Sequence, residues 1–153
     1  MGKKHLSQSI IPKTSAAITT TTYINKDAAS LFDYEHEGND SKVFLSIRHL
    51  QVNYQCFSDW SKAEMKDFWS FNSLIHDYTW QDVYATARKK KKNGIAYTII
   101  PIKKYPNSAF KKQLSPDVTL FELRISQVAR AHGFRDKSIF YLCWLDRNHE
   151  ITD

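Results

Sequence analysis

Three short strand-forming segments follow one another in the C-terminal third of the chain. They are VTLFELRIS (118–126), VARAHGFR (128–135) and SIFYLCWL (138–145), with polar breaks at Ser126-Gln127 and Asp136-Lys137. β-Branched and aromatic residues favour strands, and connections this short join antiparallel neighbours. This part of the sequence therefore predicts a series of antiparallel hairpins.

Two helices are predicted in the middle of the chain by the residues that cap them. The sequence SKAE (61–64) has the Ser-to-Glu spacing of a capping box, which begins a helix of about residues 62–76. Thr79 lies three residues before Asp82 and predicts a second N-cap. The shorter helix that follows should end near Lys89, before an Asn-Gly pair.

Two further strands complete the predicted fold. KVFLSIRHLQV (42–52) places apolar side chains on both faces of an extended chain, and GIAYTIIPI (94–102) is rich in β-branched residues. Pro101 favours an edge position for the second strand. The order is then β-α-α-β-β-β-β, and we expect an α+β fold in which two helices pack on one face of a twisted antiparallel sheet of about four to five strands.

The length of 153 residues and the composition predict one folded domain. Residues 1–40 are rich in Thr, Ser and polar groups and are expected to form a partly mobile N-terminal extension, with a single domain at 41–153. We interpret the metal-capable groups in DYEHE (33–37) as a solvated acidic stretch, so no metal and no cofactor are expected. Two widely spaced cysteines and the lack of a long apolar run predict a cytoplasmic protein without a membrane partner.

Basic residues are concentrated in the stretch 88–112, which contains no acid. Such a patch favours a polyanion such as nucleic acid or an anionic membrane surface, although a solvated loop is the simpler alternative. Tyr97 and Tyr105 could add base stacking. The candidate nucleic-acid-binding residues are Arg88, Lys89, Lys90, Lys91, Lys92, Lys103 and Lys104, with Arg135 further along the chain, and Lys111 and Lys112 extend the stretch.

A second group of basic residues is interleaved with the C-terminal strands. Arginine can clamp phosphate oxygens with two hydrogen bonds, and histidine can move a proton near neutral pH, so this group suits work on a phosphodiester. The alternative is a set of charges on the exposed face of a half-buried sheet. The candidate catalytic residues are Arg124, Arg130, His132, Arg147 and His149.

The strand order, the segment FELRIS followed by an Arg-bearing strand, and a last apolar strand that ends in DRNHE together resemble the RelE-type toxins of the RelE/ParE superfamily. The resemblance covers about residues 42–150. These are small basic proteins of bacterial toxin-antitoxin systems, many of which cut messenger RNA on the ribosome. The chain departs from the family in its longer N-terminus and in Val-Ala-Arg, where a Gly-aromatic-Arg sequence is common.

The resemblance implies roles for individual residues. Arg124 corresponds to a basic residue of the first middle strand, Arg130 to a phosphate-stabilising arginine, and Arg147 with His149 to the C-terminal pair. His149 is the expected acid or base, and His132 is the reserve. RNA, the ribosome and an antitoxin protein are the expected partners.

Three functions remain open at this point. The first is a metal-independent endoribonuclease of a toxin-antitoxin system. The second is a non-enzymatic phage or mobile-element protein that binds nucleic acid or a host protein through its basic surface. The third is a structural interaction module in which the charges only solubilise the sheet.

Overall fold

The computed structural model describes residues 37–87 and 94–152. The N-terminal extension up to residue 36 and the cations Arg88–Lys92 lie outside the described residues. The helices are α1 (Lys62–Asp77), α2 (Trp80–Ala85) and α3 (Ala109–Gln113), and the strands are β1 (Phe44–Ser46), β2 (Thr98–Ile99), β3 (Leu120–Arg124), β4 (Arg130–Asp136) and β5 (Ile139–Asp146).

The five strands form one sheet in the order β1-β5-β4-β3-β2. The predicted hairpins are confirmed, because β3, β4 and β5 pair antiparallel through short turns, and β2 lies at the sheet edge, as Pro101 indicated. The prediction of a fully antiparallel sheet is wrong, since β1 pairs parallel with β5. The chain between β1 and the later strands is long enough to cross over the sheet, and a crossover permits the parallel arrangement.

Both predicted N-caps are confirmed, and each of them forms a capping box. Ser61 accepts a hydrogen bond from the backbone N–H of Glu64 while the Glu64 carboxylate accepts from the Ser61 N–H, and Thr79 and Asp82 repeat the exchange. Each box satisfies N–H groups that a helix start leaves free, so α1 and α2 begin where the sequence predicted.

Two other predictions are wrong in detail. The fold is α+β, but it contains three described helices where two were predicted, because Ser108 caps a short α3 inside the basic segment. The first strand covers only Phe44–Ser46, whereas residues 42–52 were predicted to form it. A turn closed by the hydrogen bond from the Leu50 N–H to the Ile47 carbonyl ends it early.

The sheet is covered on both faces. Helices α1 and α2 pack on one face, against residues such as Phe121, Leu142 and Leu145. The other face carries a smaller apolar cluster in which Tyr105 packs on Trp144, with ring centroids 4.6 Å apart. The segment that runs from β2 through α3 therefore covers part of this second face, which also bears the polar residues described below.

A β-bulge interrupts the pairing of β4 with β5. His132 pairs with Trp144 while Gly133 pairs with Leu142, so Cys143 is the extra residue on β5. A Cβ atom on Gly133 would lie 1.8 Å from the Tyr141 carbonyl oxygen. Glycine is therefore required where the two backbones approach, and the bulge shifts the register of every β5 residue beyond it.

We expect Gly133→Ala to lower the free energy of unfolding by about 3 kcal/mol or more, because backbone and not a flexible side chain blocks the added methyl group. Urea unfolding followed by circular dichroism measures the change. Asp136→Ala, at the exposed end of the same strand, is the control and should shift stability by less than about 0.5 kcal/mol. Equal effects of the two substitutions would contradict the described bulge.

Candidate active site

Polar side chains form two rows across the sheet face opposite α1 and α2. Residues that pair directly across antiparallel strands point to the same face. Arg124 pairs with Arg130 and Arg130 with Asp146, which gives the first row. Glu122 pairs with His132, which gives the start of the second row. The hairpins predicted from sequence thus bring five ionisable groups of three strands together.

His132 lies at the centre of these rows and is fully buried. Its Nε2 atom is 3.4 Å from Asp146 Oδ2 and 3.7 Å from Glu122 Oε2, distances that allow electrostatic attraction but are too long for a good hydrogen bond. Its Nδ1 atom shares a hydrogen bond of 3.1 Å with the Tyr105 hydroxyl. Burial, with further contributions from nearby acidic groups, raises the pKa of Tyr105, so its hydroxyl stays protonated.

Asp146 ends β5 and organises the turn that follows. Its Oδ1 accepts the backbone N–H of Glu150 at 2.8 Å, and its Oδ2 accepts that of Ile151 at 2.9 Å. Burial by itself raises the pKa of Asp146, but the contact with His132 and the two backbone N–H groups outweigh it and lower the pKa overall. The carboxylate is therefore held in its charged form and fixes the chain over residues 147–152.

This turn carries His149 back over the polar rows. His149 has a φ of 60°, a left-handed conformation that costs a non-glycine residue about 1 kcal/mol. Its Nε2 atom is buried and lies 3.8 Å from Glu122 Oε2, while 28% of the side chain remains exposed. Thr152 of the same turn donates a hydrogen bond to Glu122 Oε2 at 3.3 Å. Glu122 thus faces His132, His149 and Thr152 through one carboxylate oxygen.

Arg130 is more constrained than its predicted role suggests. Its NH1 atom donates to the backbone carbonyls of residues 126–129, and its Nε lies 3.9 Å from Glu122 Oε1. Burial lowers the pKa of Arg130, with the Arg124 charge acting in the same direction and the Glu122 and Asp146 charges opposing it. Arg130 holds the β3–β4 turn with one nitrogen, and its NH2 atom donates no hydrogen bond to residues 37–87 or 94–152.

The other predicted site residues lie apart from this cluster. Arg147 pairs with Glu64 of α1. Arg135 lies 4.5 Å from the ring centroid of Trp80 and donates to the Tyr84 hydroxyl, so it joins the sheet end to α2. Lys103 and Lys104 are exposed in a short 3-10 helix beyond β2. The cations Arg88–Lys92 are outside the described part of the chain.

Neither carboxylate of the cluster was predicted as a site residue from the sequence. Glu122 and Asp146 are acidic residues inside or at the end of otherwise apolar strands, in FELRIS and LDRNHE. A charge at such a position is rarely buried without a partner, and that signal was available in the sequence. Their pairing with His132 and His149 depends on strand register, and the sequence alone does not give that register.

Comparisons with protein-family models, curated proteins and solved structures find no match to this chain. Among residues 37–87 and 94–152, no group of three or more His, Cys, Asp or Glu side chains is arranged to hold a metal ion. In that same part of the chain, no helix is long and apolar enough to span a membrane.

We expect Asp146→Asn to lower the free energy of unfolding at pH 7 by about 2–3 kcal/mol, because charge-assisted hydrogen bonds to two N–H groups are lost or weakened. The folded pKa of Asp146 is below the ordinary value of 3.8. Its contribution is therefore complete above about pH 5 and is lost as the pH falls below 3.8 through the folded value.

Urea unfolding of both proteins between pH 7 and pH 3 checks this prediction. The stability difference between wild type and Asp146→Asn should be constant from pH 7 to about pH 5 and should shrink at lower pH. A difference that does not change down to pH 3 would contradict the role of the Asp146 charge.

Proposed function

We propose that the protein binds RNA and cleaves it as a metal-independent endoribonuclease, the toxin of a toxin-antitoxin pair. The observation that carries the proposal is the convergence of His149, Glu122, Arg124 and Arg130 on one sheet face. A partly exposed imidazole next to a carboxylate and two guanidinium groups is a set of side chains suited to phosphodiester chemistry. The resemblance of the strand order to the RelE-type toxins supports the same proposal.

The contact with Glu122 indicates how His149 would act. A carboxylate next to Nε2 favours the tautomer with the proton on that nitrogen, which leaves Nδ1 as the proton acceptor. His149 then takes the proton of a ribose 2′-hydroxyl, and the oxygen attacks the adjacent phosphorus. The bond from phosphorus to the 5′-oxygen breaks, and an acid returns a proton to the leaving oxygen. The products are a 2′,3′-cyclic phosphate and a 5′-hydroxyl.

The arginines would stabilise the charge that builds on the phosphoryl oxygens. Arg124 is half-buried beside Arg130 in the first row, and Arg130 and His149 both face the Glu122 carboxylate. Lys103 and Lys104 would contact the RNA backbone further along, with Arg88–Lys92 adding to the same attraction. The ribosome and an antitoxin are the partners that this proposal includes.

A second function is favoured by one specific observation. Arg130 already donates to four backbone carbonyls, so one of its terminal nitrogens is committed to the fold before any substrate arrives. A protein that only binds nucleic acid or a host protein through its basic surface needs no free arginine in this row. We therefore retain a non-enzymatic phage or mobile-element binding protein as the alternative.

The experiment compares the wild type with His149→Asn in RNA cleavage. Asparagine tolerates a positive φ, so this substitution removes the imidazole and preserves the turn. Loss of the general base should reduce the cleavage rate by about 100-fold or more, and wild-type cleavage should persist in EDTA. Arg48→Ala, an exposed basic residue after β1, is the control and should retain the rate.

Mapping of the RNA ends completes this test. New 5′-hydroxyl ends that appear with wild type and disappear with His149→Asn would establish the proposed chemistry. Binding of RNA without any cleavage by the wild-type protein, both with and without ribosomes, would reject the nuclease and favour the binding protein. Equal cleavage by wild type and His149→Asn would remove His149 from the mechanism.

A further inference from the structure

We propose that a cavity beside the candidate active site binds the base of the substrate and selects guanine. The cavity has a volume of about 300 Å³, at the lower end of the range for small-molecule sites. It is open to solvent and distinct from the polar rows. This inference rests on the proposed function, because it assigns the base preference of the same RNA substrate. Its walls are Trp60, Glu64, Asp67, Ser126, Val128, Ala129, Arg147 and Asn148.

The cavity lies next to the cluster through two shared parts of the chain. Arg147 and Asn148 directly precede His149 in the turn fixed by Asp146. The β3–β4 turn forms another wall, and the guanidinium of Arg130 binds the carbonyls of that same turn. The cavity, on the α1 side, and the polar cluster, on the opposite face, therefore lie at the same end of the sheet.

The charged groups of the cavity are not equally available. Both oxygens of Glu64 are engaged, one by Arg147 Nε and the other by the backbone N–H of Ser61. The hydrogen bond from Arg147, followed by the one from the Ser61 N–H, lowers the pKa of Glu64 to about 2 and keeps its carboxylate charged. Glu64 thus positions Arg147, whose terminal nitrogens have no hydrogen-bond acceptor in the described part of the chain.

Asp67 is the carboxylate left for a ligand. It lies one turn after Glu64 on α1 and is exposed, and no hydrogen bond or ion pair to its side chain is found within the described residues. The cavity therefore offers one free carboxylate, the terminal nitrogens of Arg147, and apolar walls from Trp60 and the half-exposed Val128.

Guanine matches this arrangement better than the other bases. Its N1–H and its 2-amino group are adjacent donors that a carboxylate can accept together, and its O6 and N7 accept from arginine. Adenine has no donor at N1 or C2, and uracil offers a single N–H. Sequence-specific proteins read single-stranded RNA through such base edges, with a flat apolar or guanidinium surface against the base.

A cationic side chain of a protein partner is the competing ligand for Asp67. Arg147 lies in the same cavity and repels a second cation, whereas a neutral base that contains both donors and acceptors satisfies both groups. The charge pattern therefore favours the base.

The test is a titration of isotope-labelled full-length protein with guanosine, inosine and adenosine 5′-monophosphates, followed by NMR. We expect guanosine monophosphate to shift amides of residues 126–129 and 147–148 and to bind most tightly. Inosine monophosphate, which lacks the 2-amino group, should bind more weakly. Asp67→Asn should weaken guanosine monophosphate binding by about 10-fold or more, because a charge-assisted pair of hydrogen bonds is lost.

Asp77→Asn, at the end of the same helix, is the matched control and should leave binding unchanged. Equal binding of adenosine and guanosine monophosphates, or equal binding by wild type and Asp67→Asn, would overturn the proposal. A stronger response to arginine amide than to any nucleotide would also overturn it in favour of a protein ligand.

The titration separates this inference from the proposed function, because a mononucleotide contains no phosphodiester bond to cleave. Guanosine monophosphate binding by a protein that cleaves no RNA would reject the nuclease and keep the cavity as a base site. RNA cleavage by a protein that binds no mononucleotide in the cavity would reject the base site alone.

Discussion

The contact between the Asp146 carboxylate and the turn after β5 supports the whole candidate site. Two backbone N–H groups, of Glu150 and Ile151, donate to the two oxygens of this buried carboxylate. They fix the turn that returns His149 to Glu122 and places Arg147 beside α1. Hydrogen bonds of Gln55 with Asn148 and Glu150, and of Thr152 with Glu122, add to this anchor. A side chain that ends a strand therefore helps to determine the local geometry of the candidate site.

The same carboxylate shares the sheet face with a dense set of charges. Glu122, Arg130 and His132 are also buried there, and burial of charged groups costs free energy that their mutual contacts offset only in part. The buried Nε2 atoms of His132 and His149 have no hydrogen-bond partner among the described residues. Incomplete satisfaction of buried polar groups is typical of functional sites, and this observation distinguishes the cluster from the exposed charges of a solubilised sheet.

The parts of the structure that depend on local sequence could be predicted, and those that depend on distant partners could not. The caps at Ser61 and Thr79 and the hairpins of β3, β4 and β5 follow from residues a few positions apart. The parallel pairing of β1 with β5 depends on a crossover, and the alignment of Asp146 with Arg130 depends on the bulge at Gly133. Arg130, His132 and His149 could therefore be named as candidates from their residue types and positions in the sequence. Their acidic partners could not be named, because the partners depend on strand register.

Amide hydrogen exchange of Glu150 and Ile151 tests the central claim most directly. Both N–H groups should exchange slowly at neutral pH, because the charged Asp146 side chain accepts their hydrogen bonds. The amides of His149 and Thr152, which belong to the same turn, should also exchange more slowly than amides of an unstructured segment. Their protection should fall at acidic pH before the sheet itself unfolds. Exchange of both amides at the rate of an exposed turn at neutral pH would contradict the account, because the imidazole would then have no fixed position over Glu122.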